Sequence, residues 1–580
     1  NPASGFGAGA SGVVAGSAPE ENGAAAPATS STAQMEATLQ RIWSQCLGIA
    51  AIDRNANFFE VGGDSLVAIS VAMTASKEGL DLTPQDLYEN QTPASLARAV
   101  VARYAEGSLA RRTRNDTAHP PVPPNVAYFL ENGLRDAGSW RVPLVLQLRP
   151  DVSLDDIRAV LTAVANHHDA LRLRLIEHSG TWDQRLGEPE EFTALGTHSL
   201  PEGIEAGSDR ERDAVMAVLA DQMRGHHLTG KPLNATDVRA ADRASLVLSL
   251  HGIAGDHASR DILLTDVFTA FGQRLAGEPI VLEPVSTSWR DWLLRCAGLA
   301  MHPAVLDSRD HWLNVVRRRT LSVAAPAPEP PDAQDMARLS SVLTAEQTGE
   351  IDDASRRLNG PLDDILPAAL GRAEGATVGD GAVAVELGGQ GRSVLRPDVD
   401  VGRTVGWFPT IYPVVIPAAT PREASARELL DDIAATLKAV PHHGIGYGLL
   451  RYVYAPTARL LDAIRPADIF FSHLGTIPEL PAAQSLDEPV RLDTDLALPV
   501  REAVPGLGHA IELRVYRYAG TMHIDWWYDT RRLGRTDVES LSRHFSSALL
   551  ELTGEALTEN EIDSADDELA LVDLSSIDTA

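Results

Sequence analysis

The chain has 580 residues, too many for one hydrophobic core, and predicts several compact units. It is 44% apolar and 22% charged, as soluble globular proteins are, with a formal net charge of −30. So acidic a surface repels phosphate backbones and anionic lipid, which argues against nucleic-acid and membrane-surface roles. Cys46 and Cys296 form no CxxC pair, which fits a reducing cytoplasm and predicts no structural zinc. No apolar run has the length of a membrane span, and the first residues lack the basic and apolar regions of a signal peptide.

Residues 1–30 are mostly Gly, Ala, Ser and Pro, and read either as a flexible tether or as an expression or excision remnant. Ser31 and Gln34 have capping-box spacing, and Met35, Leu39, Ile42, Trp43 and Cys46 make one apolar helical stripe that stops at Gly48. "NFFEVGGDSLVAISVAMTA" adds an aromatic loop, a glycine pair and a helix opening at Asp64-Ser65. "TPQDLYEN" and "TPASLARAVVARY" add two more capped pieces, so residues 33–104 predict a small four-helix bundle. A polar linker follows over 105–118.

From residue 119, β-type runs alternate with amphipathic helices, the pattern of an α/β layered domain. "VPLVLQLRP", "LVLSLHG", "AVAVELGG", "YPVVIP" and "ADIFFSHLG" predict strands, and "SLDDIRAVLTAVANHHDALR" predicts a helix. The Pro/Ala run "VAAPAPEPPDA" reads as a crossing between two lobes, 119–298 and 299–560, with an acidic tail over 561–580.

Two places could carry chemistry. Ser65 opens a helix behind Gly62-Gly63 and beside Asp64, where free N–H groups and the helix dipole suit a phosphodiester, although a plain N-cap explains the same residues. "SLHGIAGDHASRDILLTDVF" places His251, Asp256 and His257 at a strand-to-helix corner.

"DRNANFFEVGGDSLVAI", following the Met35–Leu47 helix, resembles the peptidyl-carrier domains of nonribosomal peptide synthetases. The resemblance implies a 4′-phosphopantetheine arm on Ser65 within the carrier motif Gly62, Gly63, Asp64 and Leu66, and an aminoacyl or peptidyl thioester as cargo. It also implies a phosphopantetheinyl transferase and upstream and downstream synthetase domains as partners. Residues 119–560 resemble the condensation superfamily, and within it the epimerization type. That resemblance rests on "HHDALRLRL", "VGWFPTIYPV", "PHHGIGYGLLRY" and "ADIFFSHLG" standing in the family's order. It implies two chloramphenicol-acetyltransferase-like lobes in a V around a channel.

Inverting an α-carbon needs a base and an opposing acid. Active relatives supply them from the second His of an HHxxxDG segment and the Glu of an EGHGRE segment. Here Gly252 stands for that His and His257 for the following Gly, while Gly388 stands for the Glu and Gln390 for the next His. Ser472 replaces a further Asn. Each positioned acid or base is worth ~10²–10⁴ in rate, so this chain is expected to be inactive as an epimerase. His251 and Asp256 read as scaffold, Asp256 through a buried ion pair, and His257 as a channel plug or a displaced base. Gln390, Tyr447, Ser472 and His473 are channel candidates. A zinc site at His251, Asp256 and His257 lacks a fourth ligand. The reading that results is a recruitment platform. It resembles the X domains that dock haem monooxygenases, although those carry Arg and Glu where this chain has Gly252 and His257. The alternatives are thioester chemistry by His257 or a tyrosine, and a passive gate.

Overall fold

In the computed structural model the described residues are 32–61, parts of 67–105, and 120–570 apart from short stretches, chiefly 205–207, 224–227, 394–398, 462–465, 478–488 and 494–504. Gly62, Gly63, Asp64, Ser65, Leu66 and Gln390 lie outside them, as do the tether, nearly all of the 105–118 linker and residues 571–580. The chain divides into two compact units, one within the first 114 residues and one formed by the remainder.

In the small unit, α1 (Thr32–Leu47) buries Met35, Leu39, Ile42 and Trp43, the stripe read from the sequence. Gly48 ends it with φ +69°, a left-handed cap that glycine adopts without strain. Trp43 meets Phe58 edge-on at 4.8 Å, and the Phe58 amide donates to Gln91 O at 2.8 Å. These contacts anchor the turn that leads into residue 62. Thr92 and Ser95 cap α2 (Pro93–Ala105) reciprocally, each hydroxyl accepting the other's backbone N–H at 3.1 Å.

The large unit begins at α3 (Pro124–Asn132) and contains two main sheets. The first has the order β11-β1-β6-β5-β4, from Val490–Leu492, Arg141–Leu148, Ala244–His251, Leu233–Arg239 and Leu195–Ser199. The second runs β7-β13-β12-β10-β8-β9, from Met336–Val342, Thr521–Asp529, Ile511–Tyr518, Ile469–Thr476, Gly381–Gly389 and Thr410–Ala418. A hairpin of β2 (Leu173–His178) and β3 (Thr181–Leu186) stands apart. All five strand runs expected from the sequence form. So does the expected helix, α4 (Leu154–His167), which Ser153 and Asp156 close with a full capping box.

The boundary between the two cores differs from the expected 298/299. Val305, Trp312, Val399, Phe408, Tyr447 and Leu450 pack with Leu146, Leu246 and Phe271 of the first core, and β11 returns to the edge of the first sheet. The linear reading placed the crossing too early, because segments of the second half complete the first core. The second core gathers Ile365, Leu370, Val414 and Trp526 with Phe545 of α6 (Arg535–Ala570). The predicted acidic tail therefore begins inside a helix that continues to Ala570.

Candidate functional site

The corner follows β6. His251 ends that strand, 3% exposed, with Nδ1 accepting from the Ile253 amide at 3.2 Å and Nε2 against Ala137 O at 2.8 Å. An acceptor facing one nitrogen and a donor facing the other fix a neutral imidazole with Nε2 protonated.

The space next to Gly252 is occupied. A Cβ at Gly252 would lie 2.4–2.7 Å from the Trp140 indole, and one at Gly506 would lie 2.2 Å from the same ring. Trp140 is thus clamped between two glycines, tilted on Phe129 at 4.8 Å and edge-on to Trp407 at 4.9 Å. Sequence reading missed Trp140 because it lies more than a hundred positions upstream of Gly252, in a loop before β1. A histidine at position 252 cannot enter without displacing Trp140.

Asp256 caps α5 (His257–Leu275), accepting from the Ser259 amide and hydroxyl at 2.9 and 2.8 Å. Arg392, from the turn after β8, grips the carboxylate with two nitrogens at 2.7 and 3.1 Å. The same guanidinium donates to Val401 O and Thr404 O at 2.8 and 2.9 Å, and lies 4.2 Å from the centre of the Phe408 ring. Arg392 is the Arg of "LGGQGRS", so that segment and the one that holds His251 and Asp256 are fastened to each other by a charge pair.

His257, the first residue of α5, is exposed to solvent. Desolvation foremost, then the Arg514 and Arg260 guanidiniums, push its pKa down to about 4, with Asp256 opposing. The direction of that shift weakens it as a base and moves it away from the match between pKa and working pH that proton abstraction favours.

Gly388 lies on β8, where a Cβ would meet the Phe470 ring edge at 2.9 Å and Ser472 Cβ at 3.5 Å. Ser472 is buried on β10 beside it, whereas His473 turns to Asp363 at 2.8 Å. Tyr447, expected in the channel, is instead 2% exposed in the first core, 5.4 Å from the Trp312 ring, with its hydroxyl accepting from Arg451 at 3.3 Å. Burial raises its pKa to about 12.

A polar network that sequence reading did not find lies behind Gly388. Glu386, two residues earlier and hence on the same strand face, accepts from the Tyr128 hydroxyl at 2.6 Å and pairs with His509 Nε2 at 2.6 Å. His509 stacks obliquely on Phe470 at 5.2 Å, and Glu512 stands 3.9 Å from its Nδ1. Desolvation lowers the His509 pKa, but the Glu386 hydrogen bond and the charges of the two carboxylates win and hold it up at about 9. No local pattern links residues 128, 386 and 509. The only sequence signal was an acidic residue inside an otherwise apolar strand.

A family model described as "Condensation domain" matches residues 125–568, and one described as "Phosphopantetheine attachment site" matches residues 37–100. The chain is 55% identical over 559 residues to a phenolphthiocerol/phthiocerol polyketide synthase component of Mycobacterium bovis, across 94% of this chain and 37% of that protein. It is 30% identical over 538 residues to a linear gramicidin synthase component of Brevibacillus parabrevis, across 90% of this chain and 10% of that protein. The chain thus spans little more than a third of the first relative and a tenth of the second. The solved epimerization domain from the third module of tyrocidine synthetase B superposes with a TM-score of 0.62 at 20% identity, covering 76% of this chain and 98% of that one. The X-domain from teicoplanin biosynthesis gives 0.60 at 16%, covering 77% and 96%. These two likenesses establish the fold.

Proposed function

Since this chain belongs to the condensation-domain family through residues 125–568, preceded by a carrier domain, we propose that its large unit holds a carrier-bound chain without moving a proton, and presents it to an enzyme acting in trans. The carrier takes 4′-phosphopantetheine, which supplies a thiol for thioester attachment, and so implies a phosphopantetheinyl transferase and neighbouring synthetase modules. The anchored turn that runs into residue 62 fits attachment at the serine that follows in sequence, Ser65. Among the described residues no helix is long and apolar enough to cross a membrane.

The observation that carries the proposal is the Trp140 indole in the space a Gly252 side chain would need. A base lost by drift would leave a gap or water; an aromatic wedge between two glycines leaves room for neither histidine nor displaced solvent. We read the two lobes as a V whose channel admits the pantetheine arm, in an intracellular synthetase. The relative from a polyketide synthase supports a polyketide acyl cargo in place of the peptide expected from the carrier motif. The trans partner is then a tailoring or chain-releasing enzyme. A displaced base at His257 is the second reading, favoured by its accessible surface and opposed by its lowered pKa.

The test loads an acyl group on Ser65 from its coenzyme A thioester and incubates the full chain in deuterated buffer. Intact-protein mass spectrometry should show no α-deuterium beyond that of the free thioester. Wash-in above that level overturns the platform, and its disappearance in His257→Ala would make His257 the base.

A further inference from the structure

"HHDALRLRL" is used neither by the corner nor by the carrier, yet its two histidines meet an acidic residue from another helix. His167 ends α4 and His168 follows it, the two rings edge-on with centroids 4.8 Å apart. Asp266 comes from the middle of α5, 98 positions after His168. One ligand nitrogen from each imidazole and one Asp266 oxygen all lie within 4.8 Å of one another. Among the described residues no other three His, Cys, Asp or Glu side chains converge in this way.

His168 Nε2 stands 2.8 Å from Asp266 Oδ2, both side chains being buried. A buried imidazolium needs an acceptor at each nitrogen, and His168 Nδ1 has no hydrogen-bond partner among the described residues. The ring is therefore the neutral form, the one that ligates metals. The other Asp266 oxygen is held separately by Arg403, which fixes the carboxylate and leaves Oδ2 directed at His168. His167 is half-buried, and its one hydrogen bond among the described residues joins Nε2 to Glu283 O at 2.9 Å. This ring gives the cluster its access to solvent. Arg403 Nε also lies 3.4 Å from the Glu283 carboxylate, so two carboxylates face one guanidinium and a negative charge is left to meet a cation.

We propose that His167, His168 and Asp266 bind a divalent transition-metal ion of the Zn²⁺, Ni²⁺ and Co²⁺ class, which clips the end of α4 to α5. Two imidazoles and one carboxylate suit these ions, whereas Mg²⁺ and Ca²⁺ call for oxygen ligands. Metal–ligand bonds of about 2.0–2.2 Å put adjacent ligand atoms about 3 Å apart. His168 Nε2 and Asp266 Oδ2 already have that spacing, and the half-buried His167 ring closes the third side by a small swing. Coordination through His168 Nε2 moves the ring's single proton to Nδ1 and needs no charged imidazole. Water on the solvent side of His167 completes the coordination. The proposal is independent of what the large unit does with a carrier-bound chain.

The test uses the chelator-stripped full chain, titrated with Zn²⁺ by calorimetry and with Co²⁺ by visible absorption. One ion should bind per chain, and bound Co²⁺ should show the d–d bands of mixed nitrogen and oxygen ligation. His167→Gln changes a half-buried ring and leaves the Asp266 contacts intact, so the variant should fold and bind about ten-fold or more weakly. A control chain with both His442→Gln and His443→Gln, an exposed histidine pair elsewhere, should bind like the native chain. Absence of a one-to-one Zn²⁺ isotherm, an affinity unchanged in His167→Gln, or an affinity lost in the control chain would overturn the proposal. None of these outcomes depends on deuterium exchange, so failure of the metal site and failure of the platform are read separately.

Discussion

Trp407 and Phe408 are consecutive residues that serve two contrasting regions. Trp407 packs edge-on to Trp140 at the corner, where the room for an acid/base side chain is filled. Phe408 lines a small pocket with Trp292, Ile445 and Leu449, where the buried Thr410 hydroxyl has no hydrogen-bond partner among the described residues. Aromatic mass fills the space beside Gly252, while close to Phe408 a buried polar group that costs stability is kept.

The comparison matters only if a tethered chain reaches the large unit, so the largest expected effect lies in the carrier. Ser65→Ala should abolish the mass increment of one phosphopantetheine arm on incubation with a transferase and coenzyme A; an increment that persists would place the arm elsewhere. Next comes the lock that holds the corner. Asp256→Ala strands the Arg392 guanidinium and should cost about 3–5 kcal/mol in denaturant unfolding. An unchanged midpoint would mean that the two segments are not fastened by charge.

The filled corner can be probed by a double-mutant cycle. Trp140→Ala should destabilise by about 3–5 kcal/mol through the cavity it leaves, and Gly252→His by about 1–3 kcal/mol or more through overpacking. Combined, they should cost clearly less than their sum, because each relieves the other; additive costs would show that the indole does not occupy the histidine's space.

The wall behind Gly388 should respond to pH. His509 is held protonated with a pKa of about 9 against an ordinary 6.5, so its contribution is complete below about pH 6.5 and is lost as pH rises through about 9. Stability measured across that window should fall in the native chain and fall less in His509→Gln. The smallest effect belongs to the pocket: Thr410→Val should leave stability unchanged or raise it by about 1 kcal/mol, because an unpaired buried hydroxyl is removed. A loss exceeding about 1 kcal/mol would reveal a structural partner for that hydroxyl.

Local patterns announced the elements well. The stripe of α1, the capping box of α4 and the alternation of β1, β6 and β8 each depend on residues within one or two turns of each other, and all three form. The substitutions at Gly252 and Gly388 were also legible, because they interrupt ordered segments. What replaced the missing groups was not legible. Trp140 reaches Gly252 from a loop before β1, and the Glu386 network recruits residues 128 and 509 from opposite ends of the large unit. Tyr447 misled for the related reason that a helical segment's facing is set by its partners: its neighbour Gly448 lines the pocket while Tyr447 itself enters the core. Lobe membership failed as well, since β11 joins a sheet whose other strands end by residue 251.

That last strand bears on how the protein is made. Leu492 pairs with Leu146, and the Arg491 guanidinium reaches Gln147 across 344 positions of sequence. At roughly 5–20 residues per second, a ribosome needs some 20–70 s to deliver the strand that covers β1. Throughout that interval the Leu146–Leu148 end of β1, the stretch that β11 pairs, has an unpaired edge open to other nascent chains. Yield in a heterologous host should therefore depend on chaperone supply during elongation, and a chain terminated before residue 490 should emerge with the edge bare and be recovered as aggregate.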